Sequence, residues 1–265
     1  MKAVAAQMVT FRFHLSTFLF QLSTFNFQLV VIYAILAAGE GSRLAQEGCE
    51  VPKPMVRIQG ETLIGRLIRV FVANGATRIV VITNAQHTAT EAYLRSLTLP
   101  VPLDIVVQST PSSMHSLYAL SDYLSAEERF CLTTVDTVFS EDEFARYINT
   151  FCASSLDGLM AVTSYVDDEK PLYVQTADDL TITNFCDTCE ERCHHVSGGI
   201  YCLTRQSLVT LERCIGEGQS RMRNFQRQLV ADGLHLRAYP FSKIIDVDHC
   251  SDIPNAEELV RISIF

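Results

Sequence analysis

The chain of 265 residues has few charged residues, and basic residues are the scarcer kind. Only 19% of its residues are charged, and 21 Lys and Arg face 30 Asp and Glu, which gives a formal net charge of −9. Proteins that bind nucleic acid or an anionic membrane surface carry a basic patch, so the composition argues against both partners. Any phosphate group that this protein binds must be held by a local site.

Long apolar runs, interdomain linkers and regular cysteine spacing are also missing. The apolar run 29–38 has ten residues, whereas a membrane-spanning helix needs about 20. No Pro- and Gly-rich segment divides the chain, and its nine cysteines are irregularly spaced, which is typical of reduced thiols rather than of a disulfide framework. We expect a cytoplasmic protein with no membrane span and one domain over 31–265, since 48% apolar residues can supply a substantial core.

The first 30 residues differ from the rest. Up to residue 33 the only charged residues are Lys2 and Arg12, six of the 15 phenylalanines lie there, and a seven-residue unit repeats from Phe13. This low-complexity composition predicts that 1–30 are an N-terminal extension outside the fold. The alternatives are a targeting segment and an edge strand or partner-binding arm; the basic residues lie far from the apolar run, which argues against a secretory signal.

From Tyr33 onward, β-rich runs alternate with helical patterns. Such alternation is typical of βαβ units and predicts an α/β fold with a mainly parallel sheet. The first strand is an unbroken apolar run, as expected of a central strand buried on both faces. Strands are predicted at 30–36, 78–83, 103–107, 130–135, 158–163, 172–175, 180–185, 199–203, 236–241 and 244–247, and helices at 63–72, 88–97, 116–124 and 141–151, with two more before residue 236.

A glycine-containing loop follows this first strand, in the sequence LAAGEGSRL over 36–44, and VPKPM follows over 51–55. Gly39 and Gly41 allow a tight turn whose N–H groups can approach an anion. Arg43 and Lys53 add positive charge suited to phosphate oxygens. The dinucleotide-binding fingerprint would need glycine where Leu44 stands, and no G-K-[ST] follows as in a Walker loop.

In these residues the chain resembles the sugar-phosphate nucleotidyltransferase superfamily, whose leading signature is L-A-[AG]-G-x-G-[ST]-R-[LM] followed by P-K-P. The resemblance implies a Rossmann-like three-layer α/β/α fold of the nucleotide-diphospho-sugar transferase type. It also implies transfer of a nucleoside monophosphate from an NTP to an acceptor phosphate, with Arg43, Lys53 and Asp136 as catalytic residues. The implied nucleotide-binding residues are Ala37, Ala38, Gly39, Glu40, Gly41, Ser42, Arg43 and Ser116.

The resemblance further implies a Mg²⁺ site made by two aspartates. Asp136 follows the strand 130–135 and would lie at the carboxyl edge of the sheet, where α/β folds bind ligands. Asp248 lies in IIDVDHCSD over 244–252, which is similar to the superfamily's late D-[IV]-D-T-P segment. Asp246 shares a strand face with Asp248, so it is predicted to substitute for that ligand or support it.

The acceptor remains open at this point. A sugar 1-phosphate is the leading expectation, and His194, His195 and Gly198 lie where relatives face the acceptor. The stretch around Ser116 is closer to choline-phosphate cytidylyltransferases, which makes cytidylyl transfer to phosphocholine or a similar phospho-alcohol the alternative. Ala38 favours UTP or CTP as the nucleotide. A non-catalytic nucleotide-binding regulator is a further alternative, against which the full set of charged residues counts.

A cysteine cluster suggests one more site. Cys186, Cys189 and Cys193, with His194 or His195, could supply four ligands to a structural Zn²⁺. Free thiols together with an acceptor-contacting histidine are the competing interpretation.

Overall fold

A computed structural model describes residues 31–166, 169–189 and 193–262. The strands are β1 (Ile32–Ala37), β2 (Arg57–Ile58), β3 (Glu61–Thr62), β4 (Arg78–Thr83), β5 (Leu103–Val107), β6 (Arg129–Thr134), β7 (Thr137–Phe139), β8 (Gly158–Thr163), β9 (Tyr173–Thr176), β10 (Ile182–Cys186), β11 (Cys193–Thr204), β12 (Leu236–Phe241) and β13 (Ile244–Asp246). The helices are α1 (Ser42–Gln46), α2 (Leu63–Ala73), α3 (Thr88–Ser96), α4 (Ser113–Ala119), α5 (Ser121–Leu124), α6 (Glu141–Cys152), α7 (Ser207–Gly216), α8 (Met222–Ala231) and α9 (Asp252–Ile262). The predicted extension 1–30 lies outside the described residues.

Nine strands form a mixed sheet with a parallel centre. β1 pairs in parallel with β4 on one side and β6 on the other, and β5 adds in parallel beyond β4. β11 runs antiparallel between β6 and β8, and β12 pairs in parallel with β8. The predicted α/β architecture is therefore confirmed, and its central strands all end at one edge of the sheet.

Helices cover both faces of this sheet, which makes three layers. Tyr33 and Ile35 of β1 pack with α2 and α6 in one apolar core. Ala34 and Leu36 pack with α4, α7 and α8 in a second core. Both faces of β1 are buried, and this explains why its sequence is continuously apolar instead of alternating.

Two short strands form a small second sheet: β13, which matches the strand predicted at 244–247, and β7, which the sequence pattern did not indicate. β7 directly follows the residue Asp136, and β13 pairs with it antiparallel, so that Asp246 lies opposite Thr137. A third apolar cluster, which includes Val138, Ile245 and Val247, lies beneath them. This sheet brings the end of the chain beside the carboxyl edge of β6.

Some predicted boundaries are wrong. β11 begins at Cys193 instead of residue 199, because its first half pairs with β9 as well as β8. The helix predicted at 116–124 is two helices, α4 and α5, and α4 begins at Ser113 because the Ser112 hydroxyl accepts a bond from the His115 N–H. Within the described ranges, no helix is both long and apolar enough to cross a bilayer.

Candidate active site

The glycine loop leaves the end of β1 and enters the short helix α1. Gly41 adopts φ +64°, a left-handed conformation that strains any residue with a Cβ. A Cβ at this position would also lie 3.0 Å from the Cβ of Lys53. Glycine is therefore needed at position 41 for two reasons. The first is the left-handed backbone conformation, and the second is that the loop packs directly against the lysine of the P-K-P segment.

Lys53 joins two aspartates that come from distant parts of the chain. Its Nζ donates to Oδ2 of Asp136 and to Oδ1 of Asp248, the latter at 2.5 Å. Arg43 donates from Nη1 to Oδ2 of Asp248 at 2.6 Å. The predicted catalytic and metal-binding residues thus form one connected cluster of two cations and two carboxylates.

Each of these side chains is positioned by a different element. Asp136 follows β6, the strand beside β1, so its carboxylate lies close to the glycine loop. Asp248 follows β13, and its N–H donates to the Asp252 carboxylate at the start of α9. Because β13 pairs with β7, which follows Asp136 directly, the two aspartates are fixed relative to each other. Lys53 begins a 3₁₀ turn between two prolines.

The charges in the cluster stabilise one another. Burial alone would lower the pKa of the Lys53 ammonium, but the Asp136 and Asp248 carboxylates outweigh it and raise that pKa. Burial opposes ionisation of Asp136, yet the Lys53 ammonium holds the pKa of this carboxyl below its ordinary value. The side chain of Asp246 is open to the cleft, but the surrounding protein and the Asp136 charge raise its pKa to about 8. A further cation beside these aspartates would therefore be stabilised.

These aspartates fit a magnesium ion that is bound together with phosphates. Oδ1 of Asp136 is buried and has no hydrogen-bond partner among the residues that the structure describes, so it is available as a ligand. Among the described side chains, no three His, Cys, Asp or Glu converge as a ready-made metal cage. Mg²⁺ does not need one, since it is commonly held by one or two carboxylates plus substrate phosphates. Asp136 and Asp248 would supply these carboxylates, with Asp246 as the supporting residue.

A cavity of about 660 Å³ opens in front of the cluster, a size typical of small-molecule sites. Of the predicted nucleotide-binding residues, Ala37 is buried within β1 and does not line the cavity, whereas the other seven do. The cavity is lined by Ala38, Gly39, Glu40, Gly41, Ser42, Arg43 and Ser116 together with Lys53, Asp136 and Asp248.

Several polar residues of this cavity were not predicted from the sequence. Asn84 follows β4 and donates from Nδ2 to the Ala38 carbonyl at 3.0 Å, while its Oδ1 accepts from the Ser109 hydroxyl at 2.9 Å. Asn84 thereby fixes the glycine loop against two neighbouring strand ends. Its position at the carboxyl end of a predicted parallel strand was the signal that could have identified it.

A second, smaller cavity of about 60 Å³ lies on the other side of Asp248. Gly198 lines it, as expected for an acceptor-contacting residue, but His194 and His195 line neither cavity. Both histidines lie near the start of β11, where His194 is exposed. The histidine that does line this cavity is His249, whose spacing in the sequence did not single it out.

The predicted zinc site is wrong. Cys186 ends β10 and Cys193 begins β11, and β9 lies between these two strands. Two strand spacings amount to about 10 Å, whereas zinc ligands must meet within about 2.3 Å of one ion. In the part of the chain that the structure describes, Cys189, His194 and His195 do not complete a metal site with either cysteine.

Solved structures with this fold include proteins named as nucleotidyltransferases. The inositol-1-phosphate CTP transferase from T. maritima matches with a TM-score of 0.72 and 18% identity, over 88% of this chain and 98% of that one. A putative glucose-1-phosphate thymidylyltransferase from Bacillus anthracis matches with a TM-score of 0.76 and 18% identity, over 87% and 96% of the two chains. At this identity the likeness establishes the fold.

Two curated relatives are both described as a bifunctional IPC transferase and DIPP synthase. The protein from Rubrobacter xylanophilus is 25% identical over 86% of this chain and 51% of its own length. The protein from Thermococcus kodakarensis is 29% identical over 43% of this chain and 25% of its own length. The chain thus spans about half of these relatives' length or less.

The family comparison covers most of the chain. The model of the MobA-like NTP transferase domain matches residues 33–232, which begin in β1 and end just after α8. This range contains the glycine loop, Lys53 and Asp136. The chain therefore belongs to the MobA-like NTP transferase domain family, within the nucleotidyltransferase superfamily that its glycine-loop motif predicts.

Proposed function

We propose that this protein transfers CMP from CTP to a small phosphorylated polyol, with inositol 1-phosphate as the first candidate acceptor. The observation that carries nucleotidyl transfer is the cluster of Lys53, Arg43, Asp136 and Asp248 at the wall of a nucleotide-sized cavity. The names of the similar proteins, an inositol-1-phosphate CTP transferase and two IPC transferases, support this choice of substrates. The proposal favours the cytidylyl alternative of the sequence analysis over a sugar 1-phosphate.

The chemistry requires no nucleophilic side chain. An oxygen of the acceptor phosphate attacks the α-phosphorus of the nucleotide, the bond to the bridging oxygen breaks, and pyrophosphate leaves with that electron pair. Gly39 and Gly41 leave room for the triphosphate near backbone N–H groups. Arg43 and Lys53 provide positive charge where negative charge accumulates.

A magnesium ion fits this scheme through Asp136 and Asp248. When bound, it would neutralise phosphate charge and orient the oxygens of the triphosphate. Lys53 stays protonated because both carboxylates raise its pKa, so the lysine acts as a fixed positive charge and not as a proton carrier. Its two hydrogen bonds, one to each aspartate, fix the orientation of both carboxylates.

The nucleotide cavity contains polar groups suited to a pyrimidine. Ser116 is buried, and its hydroxyl lies 2.6 Å from the Thr110 hydroxyl. Ser109 and Ser112 line the same wall. Hydroxyls can both donate and accept, so this wall can pair with the mixed donor and acceptor edge of cytosine.

Release of pyrophosphate tests the proposal. We would assay the four NTPs, each against inositol 1-phosphate, glucose 1-phosphate and phosphocholine, in the presence of Mg²⁺. CTP with inositol 1-phosphate should give the highest kcat/KM. A preference for UTP with glucose 1-phosphate would instead identify a sugar 1-phosphate enzyme, and no release with any pair would favour a nucleotide-binding regulator.

A further inference from the structure

The small cavity beside Asp248 has an acidic lining. Four acidic side chains face it, whereas among its described lining residues only Arg43 and His249 can carry positive charge. A phosphorylated acceptor brings at least one negative charge to this position, and the carboxylates among these side chains would repel it. The acceptor phosphate therefore needs contact with these two residues, while its hydroxyl groups can donate to the carboxylates. The four acidic side chains are Glu169, Asp246, Asp248 and Asp252.

The local structure fixes the orientation of the His249 ring. Its Nδ1 lies 2.5 Å from Oε1 of Glu47, and the other oxygen of Glu47 accepts the Cys250 N–H at 2.7 Å. The His249 N–H donates to the Asp252 carboxylate at 2.6 Å. With Nδ1 held by a carboxylate, Nε2 is the nitrogen left to bind a ligand, an arrangement also used to orient histidine ligands of metals.

The same contacts connect His249 to the glycine loop. Glu47 lies just beyond α1, the helix that carries Arg43, and Arg43 bonds to Asp248, the neighbour of His249. Glu47 and Arg43 therefore tie the loop 248–250 to the glycine loop from two sides. His249 also stands where the superfamily's late segment has threonine, so this contact belongs to this chain.

We propose that His249 binds the acceptor phosphate through Nε2, and that Glu47 is the positioning residue that orients the imidazole. This inference rests on the proposed function, because it assigns the acceptor of the same reaction. It replaces the sequence-based assignment of His194 and His195 with a residue that lines the cavity next to Asp248.

Two substitutions of His249 separate ligand binding from a structural role. The amide nitrogen of asparagine reaches the place of Nδ1, and that of glutamine reaches the place of Nε2. If Nε2 binds phosphate, H249N should raise the KM of the acceptor about 10- to 100-fold, the range for loss of a charge-assisted hydrogen bond, and H249Q should restore part of the affinity. The KM of CTP should stay within about twofold in both variants. If His249 only anchors Glu47, the order reverses and H249N is the milder change.

Two further variants complete the test. E47Q should raise the acceptor KM by a smaller factor, about three- to tenfold, because the imidazole loses its charged partner but keeps its place. His235 is exposed and lines none of the cavities described above, so H235N serves as the matched control with unchanged kinetics. Thermal melting of every variant checks the fold.

The outcomes distinguish the two proposals. Kinetics would use inositol 1-phosphate or, if another acceptor in the panel gives a higher kcat/KM, that acceptor. A wild-type protein that releases no pyrophosphate with any pair overturns the proposed function. Normal wild-type turnover with an unchanged acceptor KM in H249N, or an increase in H194N and not in H249N, overturns the assignment of His249 alone.

Discussion

Replacing Lys53 with methionine tests the charged cluster most directly. The methionine keeps most of the volume of the lysine side chain but leaves Asp136 and Asp248 without the ammonium that joins them. Lys53 is only 11% exposed, and the two carboxylates are 19% and 33% exposed, so water can replace the lost contact only in part. We expect losses of both activity and stability, with different magnitudes.

The stability loss follows from two charge-assisted hydrogen bonds. Each such bond contributes about 1.5–3 kcal/mol, and the partial exposure of both carboxylates places the sum at the lower end, about 3 kcal/mol. In a domain of this size that corresponds to a fall in Tm of about 6–12 °C. Because Lys53 also provides charge for the transition state in the proposed mechanism, kcat should fall about 100- to 1000-fold.

Steady-state release of pyrophosphate and urea unfolding measure the two effects. K170M is the control, since Lys170 is exposed and lines neither cavity beside Asp248. In a double-mutant cycle, K53M and D136N together should lower the free energy of unfolding by about 1–2 kcal/mol less than the sum of the two single changes. The reason is that D136N removes a charge that K53M leaves unpaired. A K53M protein with turnover within fivefold of wild type, or stability losses that simply add, would refute this reasoning.

Three more predictions follow from the structure. G41A should lower kcat/KM at least tenfold, because the added Cβ would press on Lys53. G48A has the same left-handed strain but open space around its Cβ, so it should lose only stability. Equal activity losses in both variants would contradict the contact between Gly41 and Lys53. Chelation of divalent cations by EDTA should abolish turnover and added Mg²⁺ restore it, and full activity in EDTA would argue against a metal. Hydrogen bonds from Arg69 lower the pKa of Glu141 in the folded protein. This pair therefore stabilises the fold at pH values above the unfolded-state pKa of about 4.5. The stabilisation is lost as the pH falls below that value. E141Q should therefore cost about 1 kcal/mol at pH 7 and progressively less toward pH 3 in urea unfolding; a cost that does not change with pH would show that the ion pair is not responsible.

The predicted bounds of the strands are correct where the sequence pattern is local. β4, β5, β8 and β12 have the predicted bounds, since each is a short apolar run between clear turn residues. The strand predicted at 244–247 is β13, but the pattern gave no sign of β7, because a strand of three residues is too short to show a period of two. The pairing of β13 with β7 nevertheless decides how close Asp246 comes to Asp136.

The sequence by itself determined which residues to assign to the nucleotide half of the proposed site. The glycine loop and Asp136 follow strand ends, where α/β folds bind ligands, and the motif that the chain shares with the superfamily assigned Arg43 and Lys53. The structure then brings Lys53 into contact with Asp136 and Asp248, the two aspartates that the resemblance assigned to one metal site.

Only the tertiary structure decided which residues the proposed acceptor side contains. His249 is 202 residues from Glu47 in sequence, and the pairing of β13 with β7 is what brings the loop after Asp248 to the glycine loop. Cys186 and Cys193 show the opposite case, since they are close in sequence but β9 separates them. Spacing along the chain predicts contacts within one element and its adjoining turn. Contacts between loops depend instead on the order of the strands in the sheet, and no local pattern in this sequence specifies that order.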